Sequence, residues 1–365
     1  TITVTGAGTF TYKKSITIQS SQVGTSCTAD LTDFPVMVTL TGSDFQEIEN
    51  DVDADGYDII FKDATETVIL DHEIELYDET NDQLVAWVRI PTLDHNDNTV
   101  IYLYYGNSGV TAATENPAGV WNNNNRGIWH MTEVNAVDST QYDNDGTQYN
   151  GVTNTASGKI GPADYFADGD QANGDYIDVG NDSSLQLTSY ATISAWVTIA
   201  TSSGEYLGIA GKLSTGYNGY ALVRHSDNTF RFWVGNGTLG SADSNTTYTD
   251  TDWHHVVGVV DNGTNYLYVD GVLQTDTDSR ALVDSGNAAH IGRQYYDYNQ
   301  RFWQGNIDEV RISSTARDAC WIETEYNNQN TPASFYIVGP QQGGDIDLTQ
   351  IHYRWRNDNG GEAAS

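Results

Sequence analysis

Short runs in which apolar and polar residues alternate are the feature that most constrains this chain. In residues 84–90, four apolar side chains fall on one face, and Val85, Trp87 and Arg89 fall on the other. Successive side chains of a strand point to opposite faces, so a period of two predicts strands. The same alternation recurs at 16–18, 36–40, 59–61 and 100–105.

Turn signals separate the later runs. Asp227-Asn228, the stretch 261–264 and Asp270-Gly271 each lie between two apolar runs. Asn-Gly and Asp-Gly pairs favour the positive φ of tight hairpin turns, so the pattern predicts an antiparallel meander. With little helix signal elsewhere, a β-sandwich is the economical way to bury such sheets. One short C-terminal helix is predicted after Thr315, followed by a final strand at 334–338.

The predicted fold class is therefore all-β, with two β-sandwich domains. The first spans 1–110, and an aperiodic stretch rich in Gly, Asn, Ser, Ala and Thr predicts a linker at 111–119. The second spans 120–318, and the helix and closing strand occupy 319–340. Residues 341–365 are expected to be a linker and the start of a further module, or a strand exchanged with a neighbour.

The composition of the 365-residue chain excludes several partners. A net charge of −34 excludes nucleic acid and an anionic membrane surface, both of which need basic patches. No apolar run approaches the roughly 18 residues of a membrane span, so no membrane insertion is expected. An acidic surface attracts cations, which points to calcium or a saline exterior. The start at Thr1, without an initiator methionine or signal-like stretch, is typical of a processed piece.

The two cysteines, Cys27 and Cys320, leave two interpretations open. They are either buried free thiols or one long-range disulfide in an exported protein. Two cysteines this far apart support neither a zinc ribbon nor redox catalysis.

Separated motifs carry two family resemblances. Residues 10–110 resemble a β-rich domain of unknown function from large secreted and surface proteins of prokaryotes, on the strings at 31–36, 56–61, 71–75, 87–91 and 104–107. Residues 120–318 resemble the concanavalin A-like, laminin G-type jelly roll, on the strings at 128–131, 138–147, 175–177, 193–197, 253–256, 268–271 and 305–312. Together the two resemblances imply a segment of a modular cell-surface protein. The jelly-roll fold hosts lectins, adhesion modules, spacers and some hydrolases.

Two groups of acidic residues are candidates for calcium. Asp51, Asp53 and Asp55 precede a glycine as in the opening of an EF-hand loop, although the position of the bidentate glutamate is Lys62. The alternative for these residues is an acidic turn. The jelly-roll resemblance implies a structural calcium held by Asp138, Asp143, Asn144, Asp145 and Asp308, the alternative being turn hydrogen bonds to Asp308.

Two other candidates concern sugars. Glu73 and Glu75 share one face of a strand, with Cα atoms about 6.8 Å apart, near the spacing of paired glycosidase carboxylates. An exposed acidic face is the alternative for this pair. The aromatic stretch 295–303 offers Tyr295, Tyr296, Tyr298 and Trp303 as a surface for sugar rings, or for a protein partner.

These features favour a non-enzymatic extracellular module that binds calcium and a glycan or another surface ligand, with adhesion as its role. The alternative is a structural subunit that associates with itself in a surface filament, in which 1–10 or 346–355 completes a neighbour's sheet. A glycoside hydrolase that uses Glu73 and Glu75 is the third hypothesis. His254 and His255 are not expected to share a metal ion, because adjacent strand residues point to opposite faces.

Overall fold

The computed structural model describes residues 9–49, 51–52, 56–132, 136–167, 174–200, 206–294 and 301–344. It confirms the all-β prediction. The strands are β1 (Tyr12–Ile18), β2 (Leu31–Thr41), β3 (Ile60–Asp63), β4 (Ile69–Leu70), β5 (His72–Asp78), β6 (Gln83–Leu93), β7 (Thr99–Tyr105), β8 (Asn125–Trp129), β9 (Thr147–Tyr149), β10 (Thr153–Thr155), β11 (Ala163–Phe166), β12 (Tyr176–Gly180), β13 (Tyr190–Val197), β14 (Leu207–Gly211), β15 (Asn218–Arg224), β16 (Phe230–Asn236), β17 (Leu239–Asp243), β18 (His254–Asp261), β19 (Thr264–Val269), β20 (Val272–Asp278), β21 (Ala289–Ile291), β22 (Gly305–Ser313), β23 (Tyr336–Val338) and β24 (Gln342–Gly343). The helices are α1 (Ser43–Glu49), α2 (Pro117–Val120), α3 (Ala319–Asn330) and α4 (Pro332–Phe335), with 3-10 turns at Ser20–Gln22 and Ser183–Leu185.

The first module is a sandwich of two sheets. Within the described residues, one sheet has the order β23-β1-β7-β3-β4, with β24 added beside β1, and the other has the order β2-β6-β5. Alternate residues of β1, β2, β6 and β7 meet in one buried core between the two sheets. The predicted period of two thus positions this core.

The three-stranded sheet is buried on both faces, which explains why β6 is almost wholly apolar. Leu84, Ala86 and Val88 face the core of the first module. Val85 and Trp87 face the other way and pack in a separate apolar cluster with α2, β8 and Ile160 of the second module. A strand that alternates between two apolar faces is buried on both, so this sheet is the junction between the modules.

The second module is the predicted jelly-roll sandwich. One sheet has the order β10-β11-β22-β13-β18-β19-β20, with β8 beside β22, and the other has the order β17-β16-β15-β14-β21-β12-β9 in the described part of the chain. The side chains between the two sheets form the largest core cluster of the molecule. The face of the seven-stranded sheet that points away from this core is called the outer face below.

The C-terminal segment returns to the first module. Asp318, rather than the expected Thr315, caps α3 by accepting from the Trp321 N–H at 2.9 Å. Trp321 enters the first core, whereas Ile322 packs on the outside of the eight-stranded sheet. The helix is therefore wedged between the modules, and Asn328 reinforces it by bonding to both backbone groups of Met37.

The structure differs from the predicted linkers. The final strand was expected to begin at Ser334, but α4 occupies this position and β23 follows it and pairs with β1. Residues 342–343 of the expected second linker pair with Tyr12 and Lys13. The expected first linker at 111–119 forms no strand, but its Thr114 is buried. A side-chain hydrogen bond takes the place of sheet pairing in this segment, since the Thr114 hydroxyl donates to the Ile59 carbonyl at 2.6 Å. No helix in the described part of the chain is long and apolar enough to cross a membrane.

Candidate functional site

The outer face of the seven-stranded sheet carries an exposed pair of stacked aromatic rings. Tyr149 on β9 lies directly opposite Tyr176 on β12, while Ile177 points into the core. The two rings are 4.7 Å apart between centroids and nearly parallel, at 3°. Tyr149 is 42% exposed, so one member of the stack is open to solvent.

Polar groups surround this tyrosine pair. His290 on β21 meets the Tyr176 ring edge-on at 5.3 Å, and its Nε2 lies 3.8 Å from a carboxylate oxygen of Asp178. The Arg293 guanidinium lies over Tyr176, 4.8 Å from its centroid. Burial and the charge of Arg293 lower the pKa of His290 to about 3, so this imidazole is neutral at physiological pH. Aromatic, cationic, neutral and anionic groups thus lie together on one face.

A second aromatic group lies farther along the outer face. Tyr206, which precedes β14, packs edge-on against His225 at 4.3 Å and lies 6.1 Å from Trp233 on β16. The Arg301 guanidinium covers the Tyr206 ring at 4.2 Å. Trp233 is only 6% exposed, so this group is mostly covered, unlike the tyrosine pair.

Gly208 allows the backbone at Gln294 and Arg301 to approach the outer face closely. A Cβ on Gly208 would lie 2.2 Å from the backbone N of Gln294, and the Gly208 N–H donates to the Arg301 carbonyl at 3.0 Å. Gln294 and Arg301 therefore both lie on this face. The predicted sugar-binding residues Tyr295, Tyr296 and Tyr298 fall between them but lie outside the described residues.

Trp303 does not present its ring to a ligand, contrary to expectation. It is fully buried in the core of the second module, and its indole N–H donates to the Asn306 carbonyl at 3.2 Å. Trp303 was expected at the surface because it ends the aromatic stretch 295–303. Its role here is packing.

The predicted calcium residues of the jelly roll organise a loop by hydrogen bonds. The Asp138 carboxylate accepts from the backbone N–H groups of Ile128, Thr140 and Asn144 at 2.9–3.0 Å. It also accepts from the Thr140 hydroxyl at 2.8 Å, and Asp145 accepts from the backbone of Asp138 at 2.9 Å. Donors thus occupy both oxygens of Asp138, which does not suit a calcium ligand.

Neither Asn144 nor Asp143 adds a free ligand set. The Asn144 amide donates to the Arg126 carbonyl at 2.7 Å, and its backbone carbonyl accepts from Trp129 at 3.0 Å. Asp143 lies in the same loop with a positive φ of 51°. These contacts fix the turn rather than converge on a vacant point.

Asp308 lies apart from that loop. Its Oδ2 accepts from the backbone N–H groups of Lys159 and Ile160 at 2.8 and 2.9 Å. Burial and the carboxylates of Glu309 and Glu75 raise the pKa of Asp308 well above its ordinary value. Among the described residues, Asp308 does not join Asp138 and Asp145 in a group that could hold a metal, so calcium binding stays a prediction.

The first predicted calcium loop is only partly described. Asp51 follows α1 and its backbone N–H donates to the Ile48 carbonyl at 3.0 Å, whereas Asp53 and Asp55 lie outside the described residues. Gly56 has a φ of +70°, as a sharp turn requires.

Glu73 and Glu75 are not on an exposed acidic face, because the second module covers them. Their side chains are 10% and 1% exposed, and both contact His130, which follows β8. His130 Nε2 lies 3.3 Å from Glu73 Oε2, and its Nδ1 lies 3.5 Å from Glu75 Oε2 and 2.6 Å from Glu309 Oε1. We call Glu73, Glu75, His130 and Glu309 the junction cluster.

The carboxyl groups of the junction cluster differ in the direction of their pKa shifts. Burial opposes a charge on His130, but Glu309, Glu73 and Glu75 outweigh it and hold the pKa of the imidazole well above its ordinary value. Burial raises the pKa of Glu73 and of Glu309, but the charge of His130 together with hydrogen bonds, and for Glu309 also the charge of Arg311, holds both below the ordinary value. Burial and the charge of Glu309 raise the pKa of Glu75 to about 8.

Two remaining predictions concern the cysteines and the paired histidines. Cys27 and Cys320 form a disulfide that joins the first module to α3. His254 bonds to Asp250 and Asp270, both at 2.9 Å, whereas His255 is buried beside Trp196.

Comparison with known families matches this two-module layout. Residues 168–323 match the concanavalin A-like lectin/glucanases superfamily, and residues 55–145 match a domain of unknown function. The chain therefore carries a concanavalin A-like domain preceded by that domain, which confirms the predicted resemblances. No curated protein matches the chain.

Several solved structures are similar to this chain at low identity. Domain 4 of AbnA, a GH43 extracellular arabinanase from Geobacillus stearothermophilus in complex with arabinotriose, is 19% identical with a TM-score of 0.47, over 56% of this chain and 98% of that chain. The binding domain of paraclostridial mosquitocidal protein 1 is 14% identical with a TM-score of 0.46, over 56% of this chain and 52% of its own. A botulinum neurotoxin type C structure, from a report on its interaction with two ganglioside molecules, is 13% identical with a TM-score of 0.46. The match covers 57% of this chain and 52% of that chain. The match thus spans about half of the two toxin chains.

Sequence reasoning missed the tyrosine pair, and it missed His130 and Glu309 of the junction cluster. Tyr176 and Asp178 share one face of a strand whose other face is apolar, which is a signal that could have been used. His130 and Glu309 gave no such signal, because their contact depends on how β8 pairs with β22.

Proposed function

We propose that the chain is a non-enzymatic extracellular binding module that holds a glycan on the outer face of its jelly roll. Adhesion to a glycan-bearing surface is the role that this site would serve. The observation that carries the proposal is the exposed stack of Tyr149 on Tyr176 beside His290, Asp178 and Arg293. Sugar rings pack their C–H faces on aromatic rings and bond their hydroxyls to neighbouring polar groups.

An extracellular location fits the covalent structure. The Cys27–Cys320 disulfide closes a sequence separation of 293 residues. Disulfides persist in oxidising surroundings and are rare in the cytosol. The net charge of −34 also favours a solvated surface over contact with nucleic acid.

The other hypotheses have less support. The segments that would exchange in a filament, apart from Thr9 and Phe10, lie outside the described residues, so self-assembly stays a prediction. For hydrolysis, Glu73 would need a free oxygen, yet Trp121 and His130 contact its Oε2 and Ser139 donates to its Oε1. Calcium does not enter the proposal, because donors occupy Asp138.

A glycan array tests the proposed site. Labelled full chain is applied in millimolar calcium and in chelator, together with Tyr149→Ala and Tyr176→Ala variants. Tyr190→Ala is the matched control, since Tyr190 is 44% exposed on the other sheet. We expect glycan signal that the first two variants lose and the control keeps. An array without signal for folded protein, or equal signal for all variants, would contradict the proposal.

A further inference from the structure

The junction cluster borders a cavity of about 220 Å³ between the modules. Glu73 and Glu75 line this cavity from β5, and His130 and Ser139 line it from the second module. Glu309 lies behind His130 on β22 and is 1% exposed. A path from solvent thus ends at a buried group of carboxylates around one imidazole.

Three atoms of this group converge. His130 Nδ1 lies 2.6 Å from Glu309 Oε1 and 3.5 Å from Glu75 Oε2, and all three atoms lie within 4.8 Å of one another. Ligand atoms around a tetrahedral zinc ion are about 3.4 Å apart, given metal–ligand distances of about 2.1 Å. Small movements of Glu309 and Glu75 would therefore complete the geometry.

The surroundings orient each of these three side chains. Glu73 lies 3.3 Å from His130 Nε2, so it can hold the proton there and leave Nδ1 as the ligand atom. The Trp87 indole N–H donates to Glu75 Oε2, the oxygen nearest His130, at 2.7 Å, and Arg311 donates to the far oxygen of Glu309 at 2.6 Å. Metal-binding histidines and carboxylates characteristically have such outer partners.

One buried atom also lacks a partner. Glu75 Oε1 accepts no hydrogen bond within the described residues, although its side chain is 1% exposed and lines the cavity. The carboxylates here outnumber the cations, because Arg311 is shared between Glu309 and Glu325. Buried negative charge without full compensation favours a bound cation.

We propose that Glu75, His130 and Glu309 bind a divalent transition-metal ion of the zinc class at the junction. An imidazole nitrogen with two carboxylates suits zinc, whereas calcium prefers six to eight oxygens. Water in the cavity completes the coordination, and binding releases the proton between His130 and Glu309 together with the proton of the Glu75 carboxyl. Because Glu75 belongs to the first module and the other two ligands to the second, the ion fastens the modules together.

Zinc titration of metal-free full-length protein, followed by calorimetry, tests this site. We expect one high-affinity ion per chain, proton release on binding and a rise in Tm. His130→Gln and the isosteric Glu75→Gln should each weaken zinc binding by at least about 100-fold, since loss of an outer partner alone costs about 10–100-fold. Folding of each variant is checked by circular dichroism.

Two histidine controls make the assignment specific. His254 lies between two carboxylates like His130, but within the described residues it joins no group of three that could hold a metal. His95 belongs to an acidic surface group with Asp30 and Asp94. His254→Gln and His95→Gln should leave the high-affinity step unchanged. The proposal is overturned if wild-type protein binds no zinc, if His95→Gln removes the step, if folded Glu75→Gln retains it, or if calcium binds the same site equally well.

Discussion

The junction face of the three-stranded sheet and the outer face of the seven-stranded sheet carry similar residues in opposite surroundings. At the junction, Trp87 and Trp121 lie 5.3 Å apart, and the Arg311 guanidinium lies over both rings. On the outer face, Tyr149 stacks on Tyr176, and the Arg293 guanidinium lies over Tyr176. The first group is sealed by the second module, whereas Tyr149 stays exposed.

This difference teaches that composition alone does not assign a role to an aromatic and charged patch. Covered, such a patch contributes stability through buried area and paired charges. Left open, it contributes little stability and is available to a ligand. The same substitution should therefore affect folding at one face and binding at the other.

The largest effect is expected at the junction. Trp87→Ala removes a fully buried ring and leaves a cavity between the first module and the second. The free energy of unfolding should fall by about 3–5 kcal/mol, measured by urea denaturation. A loss below about 1 kcal/mol would show that the junction is loosely packed.

Loss of the disulfide should have the second-largest effect on the free energy of unfolding. Replacing Cys27 and Cys320 by serine frees a loop of 293 residues in the unfolded chain. We expect a loss of about 2–4 kcal/mol, measured by the same denaturation under non-reducing conditions. Glycan binding at 25 °C should persist, because the disulfide lies in the first module and α3; loss of binding in folded variant would contradict the separation of the two faces.

The pH dependence of the free energy of unfolding should distinguish buried carboxylates with hydrogen-bond partners on both oxygens from those without. Asp164 on β11 is fully buried, its Oδ2 has no partner among the described residues, and burial raises its pKa from 3.8 to about 7. The folded state therefore holds this proton where the unfolded state has lost it, so stability falls as pH rises from about 4 to 7.

The matched variant is Asp164→Asn, which cannot lose a proton. Its free energy of unfolding should change less than that of wild type between pH 4.5 and 7.5, by urea denaturation at both values. Equal pH slopes in the two proteins would show that Asp164 does not hold its proton in the folded state.

The smallest effect on stability is expected at the outer face. Tyr149→Ala removes a ring that is 42% exposed, and unfolding should change by no more than about 0.5 kcal/mol. Thermal unfolding measures this. A loss as large as that of Trp87→Ala would mean that the tyrosine pair is structural.

The sequence predicted the fold better than the site. Period-two runs and hairpin turns indicated both sandwiches, since these signals are local. The return of α3 and β23 to the first module could not be predicted, because pairing of residues 336–338 with β1 depends on contacts more than 300 residues apart. Gln342 and Gly343 carry no apolar pattern that would predict pairing.

For the predicted site residues, the outcome depended on tertiary contacts that the local sequence does not show. Asp138 was recognised as important, but its four hydrogen bonds depend on the path of the loop. Trp303 was placed on the surface because it ends the aromatic stretch 295–303, whereas its own ring fills the core. Glu73 and Glu75 were correctly placed on one strand, yet only the packing of the modules determines what covers them.

The most direct test of the glycan-binding proposal is the affinity of the strongest array glycan for three proteins. Wild type, Tyr149→Ala and Tyr190→Ala are titrated by isothermal calorimetry, each after its Tm has been measured. We predict that Tyr149→Ala weakens binding by about 10-fold or more, as loss of about 1.5 kcal/mol of stacking implies, with Tm and the control unchanged. Equal affinities for all three proteins would contradict a binding site at the tyrosine pair.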